Sequence, residues 1–168
     1  SGNAYGLEVK HTRADSNASD KILNVMKYDN TSLFVINLDS RISLSNNDAG
    51  TQNTVFGSSA GNALASGSQG NSSLGHESML NTTTGDRNTA IGYQALRHNV
   101  TGSENVAVGY EALRASSGNS TSHNVAIGNY VMYSLATGFS NIGIGGQALY
   151  YNNTGTKNIA IGQNAMIG

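Results

Sequence analysis

Hydrophobic and polar positions alternate in short bursts that return at a fixed interval over the C-terminal two-thirds of the chain. Asn88-Thr89-Ala90-Ile91-Gly92-Tyr93-Gln94-Ala95-Leu96 is followed by Asn105-Val106-Ala107-Val108-Gly109-Tyr110-Glu111-Ala112-Leu113. Further copies begin at Asn124, Asn141 and Asn158, and looser ones at Asn53 and Asn71, in steps of 18, 17, 17, 19, 17 and 17 residues. A period near 17 is too short for helical hairpins and fits one turn of a β-solenoid.

Aligned on the asparagine, the copies form columns. Four residues on stands Gly57, Gly75, Gly92, Gly109, Gly128, Gly145 or Gly162. A column without side chains implies a positive φ or a close backbone approach, and we read it as a corner. The residue before it is Phe56, Leu74, Ile91, Val108, Ile127, Ile144 or Ile161, an apolar ladder. One residue earlier the column is small: Val55, Ser73, Ala90, Ala107, Ala126, Gly143, Ala160. The first position runs from Thr54, Ser72 and Thr89 to Val106, Val125, Ile142 and Ile159. Period-2 geometry makes this a short strand with one small and one branched face. After the glycine, Ala60, Ser78, Ala95, Ala112, Val131, Ala148 and Ala165 form another small column, with Met79, Leu96, Leu113, Met132, Leu149 and Met166 beside it. This pattern predicts a second strand per turn. The asparagines are read as structural, because Asn tolerates αL and stacked Asn side chains bond along an axis.

Either the small columns line the interior and the Ile/Val ladder faces outward, or the reverse. Both parities leave a long, regular, sparsely charged stripe exposed, and such stripes mark interfaces. We take the small columns as interior and the Ile/Val ladder as a subunit interface, with Ile127 and Ile144 in a shared core. The expected fold is thus all-β: a parallel β-roll or β-solenoid of about seven 17-residue rungs, trimeric, over 49–168.

Residues 1–48 lack the repeat. Leu7–Thr12, Lys21–Lys27, Leu33–Leu38 and Arg41–Leu44 read as strands, the last two as a hairpin, giving a small antiparallel β connector module. Insertions fall at the joints between rungs, at Gly67–Gly70 and Gly118–His123, where a solenoid tolerates them.

Composition narrows the function. There are 21 Gly, no Pro, no Cys, 11% charged residues and a net charge of −1. No global field recruits nucleic acid or an anionic membrane, and no run approaches the ~20 apolar residues of a membrane span. His11, His76, His98 and His123 have no metal-ligand spacing, and His76 and Glu77 would point to opposite faces of a strand. No phosphate-binding loop or Gly-Gly-x-Gly-x-Asp calcium repeat is present, and Asp86, Glu104 and Glu111 are too scattered for an acidic active site. We expect no catalytic residue, no cofactor and no metal. The Tyr and Arg residues are the informative ones: Arg97, Arg114, Tyr133 and Tyr150 share the ninth position after the asparagine, with Tyr151 one further on. They should reach solvent and form a receptor-facing strip or edge packing.

The strands Asn105-Val106-Ala107-Val108-Gly109 and Asn124-Val125-Ala126-Ile127-Gly128 resemble the rungs of YadA-type heads of trimeric autotransporter adhesins. That resemblance implies a left-handed parallel β-roll with three chains around an axis lined by branched residues. The longer rungs, their Gly-Tyr-Gln-Ala-Leu extensions, and Thr31–Ser43 are more similar to bacteriophage tail fibres. The resemblance implies a homotrimer on a virion, joined to adjoining fibre segments and binding a cell-surface glycan or protein receptor. The alternatives are a bacterial adhesin head at the cell surface and an ice-binding β-solenoid. The latter needs regular Thr-x-Thr columns, and here the Thr54 column turns into Val and Ile.

Overall fold

The computed structural model describes residues 52–64, 67–115 and 120–168 in full, and the backbone of three strands before them. Two compact units, Ser1–Ile42 and Ser43–Gly168, divide the chain, and each is described by itself. In the first, β1 (Gly6–Glu8), β2 (Lys21–Met26) and β3 (Ser32–Asn37) pair antiparallel in the order β1-β2-β3. The arm Arg41–Leu44 expected beside β3 lies outside the described residues.

The second unit is a parallel β-solenoid. Its seven strands are β4 (Thr54–Phe56), β5 (Ser72–Leu74), β6 (Thr89–Ile91), β7 (Val106–Val108), β8 (Val125–Ile127), β9 (Ile142–Ile144) and β10 (Ile159–Ile161). They stack in sequence order in one sheet, and each pairs in phase with the next, Thr89 on Val106 and Ala90 on Ala107. The middle residue of every strand is buried and its neighbours face out. The parity is therefore small inside, branched outside.

Asparagine sets the register. Asn88 donates its backbone N–H and Nδ2 to Asn71 Oδ1, at 2.9 and 3.1 Å. Its own Oδ1 accepts from Asn105 N and Nδ2, both at 3.0 Å, and its Nδ2 also donates to Gly102 O at 2.9 Å. Both amide donors and both carbonyl lone pairs are thus satisfied, the full capacity of the group. The same ladder step joins Asn53, Asn71, Asn88, Asn105, Asn124, Asn141 and Asn158. The αL conformation expected of these asparagines belongs instead to the residue before each one, for example Arg87 (φ 53°) and Glu104 (φ 60°).

The glycine corner is required on both grounds. Gly57 has φ +136°, and a Cβ there would lie 2.5 Å from the carbonyl oxygen of Gly75 one rung on. Each turn closes on backbone stacked against backbone.

The predicted second strand is absent. Residues 93–97 and their equivalents are turns, and two of every three in Gln94-Ala95-Leu96 are left-handed, Gln94 at φ 54° and Leu96 at φ 54°. The same holds for Glu111 and Leu113, Tyr130 and Met132, Gln147 and Leu149. A left-handed non-glycine residue costs roughly 1–2 kcal/mol. Axial hydrogen bonds offset it: Gln94 N donates back to His76 O at 2.9 Å and Leu96 N forward to Ala112 O at 3.0 Å. The conformation also turns Ala95 and Leu96 both inward, which a strand cannot do for neighbours, and both are fully buried. Met79, Leu96, Leu113, Met132 and Leu149 thus form the spine of the core, flanked by the two Ala columns.

Departures from the column pattern compensate one another. Rung two has serine in both small columns, and Ser73 Oγ and Ser78 Oγ lie 2.6 Å apart, hydrogen bonded in the core. Rung one has Gly61 where later rungs have Met or Leu, and Leu64 fills that space. Val131 replaces Ala in its column while Gly143, one rung on, replaces Ala in the facing one; a Cβ on Gly143 would lie 2.7 Å from Val131 Cγ1.

Two outcomes are expected. Asn124→Asp should destabilise the solenoid by about 2–5 kcal/mol in urea denaturation, because it removes two buried amide donors from Asn105 Oδ1 and Gly138 O. Asn158→Ala, at the half-exposed last rung, should cost clearly less. Gly143→Ala and Val131→Ala should each destabilise, through overpacking and a cavity respectively. Their double mutant, which restores the Ala–Ala pairing of other rungs, should be more stable than their sum, and simple additivity would refute the coupling.

Candidate recognition surface

Two surfaces of the solenoid carry features beyond its own packing. The first is the outer face of the sheet. Phe56 (49% exposed), Leu74, Ile91, Val108, Ile127, Ile144 and Ile161 (68% exposed) follow one another on it, one per rung. Beside them runs the first strand position, polar at Thr54, Ser72 and Thr89 and apolar from Val106 to Ile159. The face is therefore two columns wide and becomes wholly apolar toward β10. Within this unit the described residues form no second sheet or helix to layer over it.

The second surface is made by the turns after the glycine corners. Stacking equivalent turns brings aromatic rings into one contiguous file. His76, Tyr93 and Tyr110 occupy the position after the glycine on consecutive rungs, with ring centroids 5.4 and 5.1 Å apart. The file then crosses to Tyr130 (5.2 Å), Tyr133 (5.7 Å), Tyr150 (5.1 Å) and Tyr151 (4.6 Å). Tyr93 lies parallel to Tyr110, and Tyr133 parallel to Tyr150, as an in-phase repeat requires.

The expected strip of Arg97, Arg114, Tyr133 and Tyr150 is present as a column, and its side chains are partly exposed rather than free in solvent. The αL turn lays these side chains back along the solenoid, over the neighbouring rungs. Tyr151, one residue further, is 62% exposed. The guanidinium groups are engaged by the protein. Arg97 Nε sits 3.0 Å from Glu77 Oε2, an ion pair without an aligned hydrogen bond. Arg114 Nε lies 3.2 Å from Gln94 Oε1 and 3.4 Å from Glu111 Oε2, and its Nη1 donates to Tyr133 Oη at 2.9 Å. Gln94 Nε2 donates to Glu77 Oε2 at 2.7 Å, which links the two arginine sites. The hydrogen bond to Glu111, followed by burial and Tyr130, pushes the Tyr110 hydroxyl up to about 12. Burial, then Tyr133 and Tyr151, raises that of Tyr150. The Tyr110 and Tyr150 hydroxyls therefore stay protonated at physiological pH.

His76 and Glu77 do not point apart. Their side chains approach to 3.7 Å, because this segment is a left-handed turn and not a strand. On the joint edge, Arg87 Nη2 meets Glu104 Oε1 at 2.7 Å and His123 Nε2 meets Glu104 Oε2 at 3.1 Å, one rung apart in each case. These are exposed pairs that add little stability. Among the described residues no group of three His, Cys, Asp or Glu is placed to hold a metal ion, and no helix is long and apolar enough to cross a membrane. The sequence showed His98 without metal-ligand spacing but not the partners that hold it beside Arg97. Its Nδ1 lies 2.8 Å from Asn81 Nδ2 and its Nε2 3.2 Å from Arg97 Nη1. Arg97 can only donate, so Nε2 accepts, and Nδ1–H donates to the amide oxygen of a flipped Asn81.

Comparison with protein-family models, with curated proteins and with solved structures finds no match to this chain.

His98 makes the strip acid-sensitive. Burial, then the charges of Arg97 and Arg114, lowers its pKa, opposed by the weaker influence of Glu77. A base whose folded pKa lies below its unfolded value favours the fold while neutral. Its contribution is complete above the ordinary value of about 6.5 and is lost as pH falls through that value toward the lower folded one. Melting temperature should therefore fall between pH 7 and pH 5, and His98→Gln should reduce that fall. An unchanged acid-side slope in His98→Gln would exclude His98 as its source.

Proposed function

We propose that this chain is a structural and host-recognition segment of a trimeric tail fibre of the bacteriophage type, acting without catalysis at the bacterial cell surface. The observation that carries the reading is the uncovered apolar face of the parallel sheet. A regular two-column face of Ile, Val, Leu and Phe is costly to expose and is self-complementary under rotation about an axis parallel to the stack. Three chains are proposed because the Asn-Val-Ala-Val-Gly rungs resemble those of trimeric adhesin heads. The three faces then form one shared core, with the aromatic file of each chain displayed outward in triplicate. Weak contacts presented in threes gain by effective concentration. The short antiparallel strands β1–β3 serve in this reading as the connector to an adjoining fibre segment.

A bacterial adhesin head uses the same architecture, and the rung motif itself favours it as the second reading. In both cases the protein works by rigid repetition.

Light scattering coupled to gel filtration should give three times the chain mass. Ile144→Asp should disperse that assembly, because it places three unpaired charges in the shared core. In a monomer Ile144 faces solvent, and the same substitution would leave mass and circular dichroism unchanged. A well-folded monomer at micromolar concentration refutes the proposal.

A further inference from the structure

We propose that the groove between Arg114 and Asn153 is a saccharide subsite that reads the hydroxyl groups of a neutral hexose unit. It specifies the ligand class of the recognition role proposed above and rests on that reading.

The groove arises from a gap in one column. The tenth position after the asparagine carries Asn81, His98, Ala115, Ser134 and Tyr151 on successive rungs. Two small residues thus stand between the bulky His98 and Tyr151. Those two flanking positions are three rungs apart, about 14 Å along the stack before side-chain volume is subtracted. A cavity of about 420 Å³ opens there, lined by Arg114, Ala115, Tyr133, Ser134, Ala136 and Asn153. That volume falls in the ordinary range of small-ligand sites.

Its walls match a sugar ring in kind. Tyr133 and Ala136 supply apolar surface for C–H groups, above a floor closed by the buried Ala115. Arg114, Ser134 and Asn153 supply polar groups for the hydroxyl rim. Arg114 is held from behind: its Nε faces Gln94 and Glu111 and its Nη1 bonds Tyr133, while Nη2 has no protein partner among the described residues. A guanidinium so fixed presents donors with little further ordering to lose on binding. Ser134 uses its backbone N–H on Tyr150 O, and Asn153 uses its carbonyl on Ala136 N and Thr137 N. The hydroxyl of Ser134 and the amide of Asn153 remain without partners among the described residues. Glu111 already neutralises Arg114, so the groove recognises hydroxyls rather than an anionic group. The adjoining Tyr150–Tyr151 pair, centroids 4.6 Å apart, extends the apolar surface toward a neighbouring sugar of the same chain.

The test uses saturation-transfer NMR on the full chain with four probes: the methyl glycosides of glucose, galactose, N-acetylglucosamine and glucuronic acid. At least one neutral glycoside should show millimolar binding that changes little with salt. Ala136→Trp, at a half-exposed position, should fill the groove and abolish transfer without changing circular dichroism. Arg114→Lys should weaken binding about tenfold, because an ammonium cannot present the fixed fork. Arg87→Ala, on the joint edge, should leave binding intact. No transfer from any neutral probe, transfer from the glucuronide alone, or transfer that survives Ala136→Trp each overturns the subsite. Light scattering on the same samples separates the two proposals. A trimer that binds no glycoside removes the subsite and keeps the fibre, and a monomer that binds one does the reverse.

Discussion

The fold depends on one hydrogen-bonded column. Each interior asparagine donates its backbone N–H and Nδ2 to the Oδ1 of the rung before and presents its own Oδ1 to the rung after. A slip of one residue would strand a buried amide on both sides, and unsatisfied buried groups cost about 1–3 kcal/mol each. The column therefore fixes the phase of every rung, including the two that follow longer joints: the 19-residue step from Asn105 to Asn124 keeps the same amide contacts, at 3.1 and 3.2 Å. Past the longer joint the contacts resume in phase: Thr121 O accepts from Asn105 Nδ2 at 2.7 Å, as Gly102 O does from Asn88 Nδ2. Only Asn can hold the column. Aspartate lacks the donors, serine is too short to reach the next rung, and glutamine would have to order a further rotatable bond.

Once phase is fixed, every other column inherits it. The glycine corner stacks on its equivalent so closely that a Cβ would strike the next carbonyl. Small residues then stack on small residues inside, which keeps the turn narrow, and Leu or Met fills the remaining space. A narrow interior has little tolerance for local volume change, and Val131 opposite Gly143 and Ser73 bonded to Ser78 are the visible consequences. The same narrowness forces the branched strand positions outward. An apolar outer face is thus a geometric result of a three-residue strand with one interior side.

Much of this was legible in the residues. Period, asparagine, glycine and small column are periodic, and periodicity survives any ignorance of angles. The turns after the glycine were not legible, for a physical reason. Leu96, Leu113 and Leu149 sit at positive φ, against their intrinsic preference, and Ala-Leu at neighbouring positions reads as a strand with one residue on each side. What stabilises the left-handed form is the axial bond from Leu96 N to Ala112 O, sixteen residues away. No local window contains it. The same error put His76 and Glu77 on opposite faces and hid the ion pairs that hold Arg97 and Arg114 against the turns.

Those ion pairs change what the arginine–tyrosine column can do. Free guanidinium groups on a surface bind loosely, because each contact must first order a long side chain. Here Glu77, Gln94 and Glu111 hold Arg97 and Arg114 against the solenoid, and Tyr133 and Tyr150 are stacked in register with them. The column gives up charge and reach and gains order. A surface of that kind discriminates by shape and by the direction of its remaining donors rather than by long-range attraction, consistent with a chain whose net charge is only −1. The periodic scaffold then acts as a ruler. It sets the spacing of rings along the file at one rung, and any extended ligand that engages more than one of them must carry a matching repeat.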